Sequence, residues 1–406
     1  MRSGSASGSE VVGAAPWIIW GSELSPFTLK VIRLFRHARL PFRFLPADGG
    51  WLESWRFALR VESLKRGRLT LTNGPLTEDD EFPLVPFAFG PDGENLYDSS
   101  AIARWLDREL PEERRTIPGD EAAAFVIRLI DDYADEFGLY MVHHNRWKVS
   151  ATDNDAGSRV AREFRFIAGP LRPWFARRFA ARQTRRLPYL FSVAPAGFHI
   201  DGLPSSRQPP GRSGFPSTHE LLEQSFDRLL RILEELLSKR SFALGERFTL
   251  ADASLYGQLG MNLSDPGADA LMRKRAPHLH RWLTALHGAD AEPIASGNAL
   301  KIDGDLKPLL AEICRTHVPL MRQNAAAHQR LKIFGVRGFN EGAFNCGQAL
   351  YDGVIDGERF RSVAKSFQAR VWRDCLEHWS RLSASARATI EALLPTQHGI
   401  GITETS

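Results

Sequence analysis

The chain has 406 residues, 43% apolar and 25% charged, a balance typical of an ordinary globular protein long enough for two or three domains. Its formal charge of +4 is too small to indicate a dedicated nucleic-acid-binding protein. No apolar run approaches the ~18 residues of a membrane span. Three widely spaced cysteines, all beyond residue 300, favour a reducing compartment. We therefore expect a cytoplasmic protein that binds neither nucleic acid nor a membrane.

A strand, a turn and a helix are predicted in succession after a small, polar and disordered lead-in at residues 1–16. Trp17 to Trp20 form the apolar strand, and Ser25 lies at the predicted N-cap of the helix, with Pro26 at its first position. A helix N-terminus offers free backbone N–H groups and the positive end of the helix dipole, which stabilise an anion such as a thiolate. Ser25 is therefore either a plain helix cap or a residue that also faces a thiolate.

The next elements complete a small mixed sheet. Residues 40–46 are predicted as a second strand, which gives a βαβ unit. Residues 84–89 are predicted as a third strand with Pro86 near its start, followed by a hairpin turn at 92–95 and a return strand. Asp98 then begins a capped helix over 101–110.

Three of these motifs, in this order, resemble the thioredoxin-like domain of the glutathione S-transferase family: Ser25-Pro26-Phe27, Val85-Pro86 before a hairpin, and Asp98-Ser99-Ser100-Ala101-Ile102. The resemblance implies that Ser25 faces the glutathione thiol. It also implies that the Val85–Pro86 peptide bond is cis and that the Val85 backbone pairs with the cysteinyl backbone of glutathione. Asp98 and Ser99 would hold the γ-glutamyl group, although the family usually has the longer Glu where Asp98 stands.

The segment between Pro46 and Glu81 is longer than is usual in the family and covers the region that contacts the glycyl end of glutathione. Arg56, Arg60 and Lys65 are candidates for binding the glycyl carboxylate. For each of them singly, a solvated helix face is the favoured interpretation.

A long helix is predicted over residues 120–147 from aromatic side chains spaced three and four apart. In a glutathione-transferase arrangement this helix borders the pocket of the second substrate, and four residues are candidates to line it: Tyr133, Phe137, Tyr140 and Met141. Plain core packing is the alternative. His143 and His144 diverge on a helix, so no metal site is predicted.

Residues 159–186 contain nine arginines and one acid between aromatic residues, a pattern for which a solvated helix face is favoured over nucleic-acid binding. Residues 188–217 are predicted as a long irregular connection or lid, and residues 219–239 as an amphipathic helix. Thr249 and Asp252 then form a capping box within residues 242–259, which resembles the structural motif of the family's helical domain. Asp252 is therefore predicted to stabilise the fold and to have no catalytic part.

The resemblance covers residues 17–290 and predicts an α+β protein in four parts. These are the lead-in (1–16), a thioredoxin-like α/β domain (17–112), an all-helical domain (118–290) and a mostly helical C-terminal extension (300–406). In the extension we predict a helix at 306–328, a hairpin at 351–360 and two helices over 369–393 that break near Ser383. We expect the extension to close one side of the pocket, with a partner-binding module as the alternative.

By resemblance, the chain is expected to be a glutathione-dependent transferase with glutathione as co-substrate. Ser25 would donate a hydrogen bond to the thiolate, which attacks a small electrophile in the helical domain's pocket. Ser22 is the next candidate for this role. Dimerisation is common in the family, so a homodimer is implied unless the extension covers that surface. The alternative function is a protein of the same fold that binds or assembles without turnover.

Overall fold

The computed structural model describes residues 15–74, 85–288 and 297–395. Its strands are β1 (Trp17–Trp20), β2 (Phe42–Leu45), β3 (Phe87–Phe89), β4 (Asn95–Tyr97), β5 (Leu350–Ile355) and β6 (Glu358–Val363). Its helices are α1 (Pro26–Ala38), α2 (Trp51–Lys65), α3 (Ser99–Glu109), α4 (Glu121–Tyr133), α5 (Leu139–His144), α6 (Ala156–Glu163), α7 (Arg165–Ala168), α8 (Arg172–Arg185), α9 (His219–Lys239), α10 (Leu250–Met261), α11 (Pro266–Arg275), α12 (Pro277–His287), α13 (Lys307–Ile333), α14 (Glu341–Asn345), α15 (Ser366–Arg381) and α16 (Ala384–Glu391).

The first four strands form one mixed sheet in the order β2–β1–β3–β4, with β1 and β2 parallel and the other neighbours antiparallel. Successive residues of β1 point to opposite faces. Trp17 and Ile19 join the main core, whereas Ile18 and Trp20 join a smaller core beneath α2. The predicted third strand is shorter than expected and begins at Phe87, just after Pro86. Together with the helices that follow, this sheet gives the predicted thioredoxin-like α+β architecture.

The helix predicted over 120–147 is continuous in the structure, although two stretches of it have π-helical geometry. Residues 134–138 form the first and residues 145–149 the second, and α4 and α5 are the regular parts. We call residues 121–149 the central helix. A π-helical turn inserts an extra residue and is frequent at functional sites, so the side chains around residues 134–138 are of particular interest.

The predicted capping box begins α10. Asp252 is fully buried and accepts hydrogen bonds from the backbone N–H groups of Ala243 (2.7 Å) and Thr249 (2.9 Å) and from the Thr249 hydroxyl (2.7 Å). The helix then packs closely on α1. A Cβ atom on Gly257 would come within 2.6 Å of the Pro26 carbonyl oxygen, so glycine is required where the two helices meet.

Residues 300–395, which we call the C-terminal segment, pack on the central helix and on α9. Their buried side chains, from Leu306 to Leu393, belong to the same core cluster as those of the sheet and helices before them. The secondary structure agrees with the predictions for this segment: α13, a β5–β6 hairpin that turns at Asp356 and Gly357, and two helices separated at Ser383, which caps α16. Among the described residues, no helix combines the length and apolarity needed to cross a membrane.

Candidate functional site

Three strand ends bring the predicted glutathione-binding motifs to one edge of the sheet. Trp20, the last residue of β1, pairs with Phe87 at the start of β3, and Phe87 pairs with Tyr97 at the end of β4. The loop that contains Ser22 and Ser25 therefore follows the end of β1. Val85–Pro86 lies just before the start of β3, and Asp98 lies just after the end of β4, so all three motifs are at the same end of the sheet. The Val85–Pro86 peptide bond is cis, as the family resemblance implies.

Ser25 is the N-cap of α1, and its Oγ accepts a long hydrogen bond of 3.4 Å from the Thr28 backbone N–H. Its side chain is only half-buried, whereas the helix that it begins is largely buried. Because Oγ acts here as an acceptor, the hydroxyl proton can point away from the helix toward a bound anion. The geometry thus permits Ser25 to cap the helix and to donate a hydrogen bond outward.

Ser22, the second serine of this loop, has a partner that no local feature of the sequence predicts. Its hydroxyl donates a hydrogen bond to the carboxylate of Glu163, which also accepts a bond of 3.2 Å from the Glu23 backbone N–H. Burial raises the pKa of Glu163, although the bond from Ser22 opposes that effect. Glu163 is the one acidic residue among the arginine-rich residues 159–186. This is the only feature of the sequence that distinguishes it.

Asp98 adopts a φ of +72°, a backbone conformation that residues other than glycine rarely adopt. Its carboxylate caps α3 by accepting a hydrogen bond of 2.8 Å from the Ala101 N–H. Ser99 follows and is buried. The positive φ of Asp98 is a strained backbone conformation, and the capping hydrogen bond from Ala101 helps to hold it. Strained backbone positions of this kind cluster at ligand-binding sites.

Beneath this edge lies a cluster of buried charges that joins α1, α3 and the central helix. The Lys30 ammonium donates hydrogen bonds to Asp131 (2.5 Å), Asp135 (2.6 Å) and Ser100 (2.9 Å). Burial works against the charge of Lys30, but the two carboxylates outweigh it and raise its pKa. Burial raises the pKa of Asp135 to about 7, and it raises that of the neighbouring Glu136 to about 8.

A cavity of about 240 Å³ opens beside these groups. Its lining comes from four parts of the chain: residues 71–74, the residues around β4 and α3, the first π-helical turn with the end of α4, and helix α15. The polar and charged side chains among them are Asn73, Tyr97, Asp98, Ser100, Arg104, Arg128, Asp132, Asp135, Glu136, Arg370 and Asp374. Of the predicted site residues, only Asp98 lines this cavity.

The four candidates for the second-substrate pocket are buried. Tyr133, Phe137, Tyr140 and Met141 are between 0% and 2% exposed. The Tyr140 ring stacks on Phe191 at a centre-to-centre distance of 5.3 Å. Its hydroxyl accepts hydrogen bonds from Lys365 and Gln368 of the C-terminal segment. Core packing, the alternative stated above, describes their surroundings. Their assignment to a substrate pocket stays a prediction, and it requires the C-terminal segment to move.

The candidates for binding the glycyl carboxylate are on α2. Arg60 donates a hydrogen bond of 2.8 Å to the Asn95 side chain and lies 4.6 Å from the centre of the Phe89 ring. Both partners are at the end of the hairpin opposite Val85–Pro86. Arg56 is exposed, and Lys65 lies 3.9 Å from Glu62. Among the described ranges, no group of three or more potential ligands could hold a metal ion.

Comparison with known proteins identifies one region of this chain. Residues 209–285 match the family model described as "Glutathione S-transferase, C-terminal domain". This match and the thioredoxin-like sheet that precedes it confirm the resemblance to the glutathione S-transferase family, with a thioredoxin-like part followed by a helical one. No curated relative matches the chain.

Several solved structures are similar to this chain at low identity. A glutathione S-transferase from Methylobacillus flagellatus KT, solved with GSH bound, is 19% identical, covers 69% of this chain and 100% of its own, and has a TM-score of 0.36. Glutathione transferase F2 from Populus trichocarpa is 13% identical (69% and 97% covered, TM-score 0.39). The beta-etherase LigF from Sphingobium sp. strain SYK-6 is 16% identical (69% and 97% covered, TM-score 0.41).

Proposed function

We propose that this protein is a cytoplasmic glutathione-dependent transferase that activates the glutathione thiol at Ser25 for attack on a small electrophile. The observation that supports this proposal is the strand register, which gathers the Ser25 loop, Val85–Pro86 and Asp98–Ser99 at one sheet edge. The three motifs are far apart in sequence. If Ser25 were only a helix cap, nothing would require it to lie beside the other two motifs.

The proposed chemistry begins with the thiol proton. A free cysteine thiol has a pKa of about 8.5, so little thiolate is present at neutral pH. The Ser25 hydroxyl would donate a hydrogen bond to the sulfur, and the N-terminus of α1 would add its positive potential, so that the thiol loses its proton to solvent more easily. The sulfur electron pair then forms a bond to an electrophilic carbon, and the leaving group departs with the bonding pair.

The remaining motifs would position the tripeptide. The Val85 backbone would pair with the cysteinyl residue, and Asp98 with Ser99 would hold the γ-glutamyl group near the N-terminus of α3. Holding the thiol at a fixed place makes attack effectively intramolecular and lowers its entropic cost.

A test of this proposal uses the full-length protein with glutathione and chlorodinitrobenzene as a small electrophile. Replacing Ser25 by Ala is expected to lower kcat/KM by roughly 10- to 100-fold, the value of one hydrogen bond to a charged group. The rise of kcat/KM with pH should move to higher pH. Ser25→Thr, which keeps a hydroxyl, is the matched control and should retain most of the activity. Unchanged turnover in Ser25→Ala would overturn the role of Ser25, and Ser22→Ala would then be examined.

The alternative is a non-catalytic binding or assembly protein of the same fold. It is favoured by the burial of the four candidate pocket residues beneath the C-terminal segment. Glutathione binding measured by calorimetry, together with no conjugation of chlorodinitrobenzene or of an unsaturated ketone, would support this alternative. Absence of glutathione binding by the wild-type protein would exclude the transferase.

A further inference from the structure

We propose that the face formed by α2 and the start of α8 binds the surface of an anionic lipid bilayer. This inference goes beyond the proposed function and does not depend on it. The observations behind it are a group of strongly exposed apolar side chains and a set of exposed arginines beside them. The expectation that the protein does not bind a membrane rested on the absence of an apolar run long enough to span one, and peripheral binding needs no such run.

Large apolar side chains are exposed on both helices. In the described part of the chain, ten such side chains are strongly exposed, and six of them, each between 40% and 74% exposed, lie on α2 and around the start of α8. We call these six the apolar patch: Trp51, Leu52, Trp55, Leu59, Leu171 and Trp174. The first, third and fourth are spaced four residues apart and form a stripe along one face of α2. Single exposed apolar residues are normal, whereas a large exposed group marks an interaction surface.

Helix α7 connects the two parts of the apolar patch. Its Ile167 packs on the small core beneath α2, where Phe57 of α2 also packs. The Arg165 guanidinium at its start donates a hydrogen bond of 2.7 Å to the carbonyl oxygen of Ala47, in the loop before α2. Leu171 follows Ile167 by four residues, which span at most about 14 Å. The start of α8 therefore lies close to α2.

Exposed arginines border the apolar patch. Residues 164–200 contain no Asp or Glu, and α8 has five exposed arginines: Arg172, Arg177, Arg178, Arg182 and Arg185. Arg182 lies 3.5 Å from Glu341 of α14, and the Arg178 guanidinium lies 5.2 Å from the centre of the Trp174 ring. Trp174 and Arg178 are one turn apart, so an apolar side chain and a cation share one face of α8. Helix α8 is thus strongly positive, although the formal charge of the whole chain is only +4.

The carboxylates of α2 are paired with cations. Glu53 accepts hydrogen bonds of 2.5 Å and 2.7 Å from the Arg43 guanidinium, and Glu62 lies 3.6 Å from Arg66. Arg56 of the same helix is exposed. These carboxylates therefore add no uncompensated negative charge beside the apolar patch.

A bilayer with anionic headgroups matches both features of this face. Tryptophan favours the level of the headgroups, leucine side chains reach the acyl chains, and arginines attract anionic lipids. A nucleic acid would match the arginines and stack on the tryptophans, but it offers no apolar medium to three exposed leucines. A second copy of this chain, docked symmetrically through this face, would bring one positive α8 toward another. The lipid surface is therefore the occupant that this face fits best.

The test measures how the full-length protein sediments with vesicles of phosphatidylcholine, with and without about one third of phosphatidylserine. The wild type is expected to bind the anionic vesicles at least roughly 100-fold more tightly than the neutral ones, since each arginine near an anionic surface contributes about 5-fold. Added salt should weaken this binding, because it screens the attraction between the arginines and the lipid.

The apolar patch is tested by Trp55→Ala combined with Trp174→Ala. Binding to anionic vesicles should weaken by roughly 10- to 100-fold, because two indole rings no longer leave water at the interface. The matched control is Ile333→Ala combined with Phe334→Ala at the end of α13, where both side chains are more exposed than those of the apolar patch. This control should bind the vesicles as the wild type does.

The arginines are tested by Arg178→Gln, which should weaken binding to anionic vesicles by roughly 5-fold and reduce its dependence on salt. Arg381→Gln on α15 changes the net charge equally, and Arg381 is exposed and paired with Glu377. This control should leave binding unchanged. Unfolding curves establish that all the variants are folded.

Several outcomes would overturn the inference. One is failure of the wild type to bind anionic vesicles at low salt, and another is an equal loss of binding in the tryptophan variant and its control. Single-stranded DNA and polyglutamate serve as probes for a nucleic acid and an acidic protein, and binding of either without vesicle binding identifies a different partner. Self-association that the tryptophan variant loses, again without vesicle binding, identifies a second copy. Conjugation of glutathione is measured without vesicles, so none of these outcomes bears on the transferase proposal.

Discussion

Two buried lysines contact the central helix, and their partners differ in kind. Lys30 of α1 donates to two carboxylates, Asp131 and Asp135. Lys365, which immediately precedes α15, donates a hydrogen bond of 2.6 Å to the Tyr140 hydroxyl, and its ammonium lies 4.6 Å from the ring centres of Tyr140 and Tyr189. The first lysine donates directly to two carboxylates, whereas the second donates to a hydroxyl and lies against two aromatic rings, and its charge also lowers the pKa of Glu136.

This difference predicts unequal consequences when each lysine is removed. A buried carboxylate that loses its cation is left as an uncompensated charge, which costs far more than the pair contributed. A tyrosine that loses a cation keeps its ring packing and loses a smaller attraction. The attachment of the thioredoxin-like part should therefore depend more on its lysine than the attachment of the C-terminal segment depends on Lys365.

The largest effect is expected for Lys30→Met. It leaves Asp135 without its cation and Asp131 with only Arg128 at 4.0 Å, so the free energy of unfolding should fall by about 3–5 kcal/mol. Because Lys30 is little more than one turn from Ser25, we also expect loss of glutathione binding. Denaturant unfolding measures the first effect and calorimetry the second.

The control for that change is Arg43→Met, which removes an exposed pair with Glu53 and should cost no more than about 0.5 kcal/mol. Equal losses of unfolding free energy in the two variants would mean that the buried ion pairs of Lys30 contribute no more to stability than an exposed pair.

A smaller effect is expected for Lys365→Met. Loss of the hydrogen bond and the cation–π contacts should lower the free energy of unfolding by about 2 kcal/mol, while the methionine keeps most of the apolar contact. The same denaturant titration measures it. A loss as large as that of Lys30→Met would break the comparison, because it would show that the charge of Lys365 beside Glu136 matters as much as the direct ion pairs of Lys30.

Tyr140→Phe tests whether the hydroxyl or the ring of Tyr140 holds Lys365. The change removes the hydroxyl that accepts from Lys365 and Gln368 and leaves the ring stacked on Phe191. We expect a loss of about 1–2 kcal/mol, since two buried donors lose an acceptor. If Tyr140→Phe is neutral while Lys365→Met is destabilising, the ring and not the hydroxyl holds the lysine.

A further effect is a dependence of stability on pH that arises from Glu136. Its pKa is raised by burial to about 8 in the folded protein, well above the ordinary value of 4.5. Between these two values the folded state keeps a proton that the unfolded state has lost, so stability falls as pH rises from about 4.5 to about 8. The slope from this one group is at most about 1.4 kcal/mol per pH unit.

Glu136→Gln should remove this contribution, so its stability relative to wild type should improve as pH rises through that window. Unfolding curves for both proteins at several pH values give the difference, in which the other titrating groups cancel. A difference that does not vary with pH would show that Glu136 is ionised in the folded protein.

The sequence was sufficient for the elements of the sheet and for the capping box of Asp252, because each depends on residues close together in the chain. It also predicted the hairpin and the helix break at Ser383 in the C-terminal segment. The pairing of Lys30 with Asp131 was not predictable, since it joins residues 101 positions apart and neither has a local signature. The same holds for Glu163 beside Ser22 and for Arg370 in the cavity wall. These contacts arise only from tertiary packing.

The hydrogen bond from Gln368 to Glu136 joins residues 232 positions apart, and this separation bears on how the protein is made. At about 5–20 residues per second, a ribosome needs on the order of ten seconds or longer to supply α15 after the central helix has emerged. During that interval α15 does not yet cover the aromatic side chains around Tyr140. Nascent chains that stop before α15 should therefore engage chaperones or aggregate, even though the sheet edge with Ser25 is already complete.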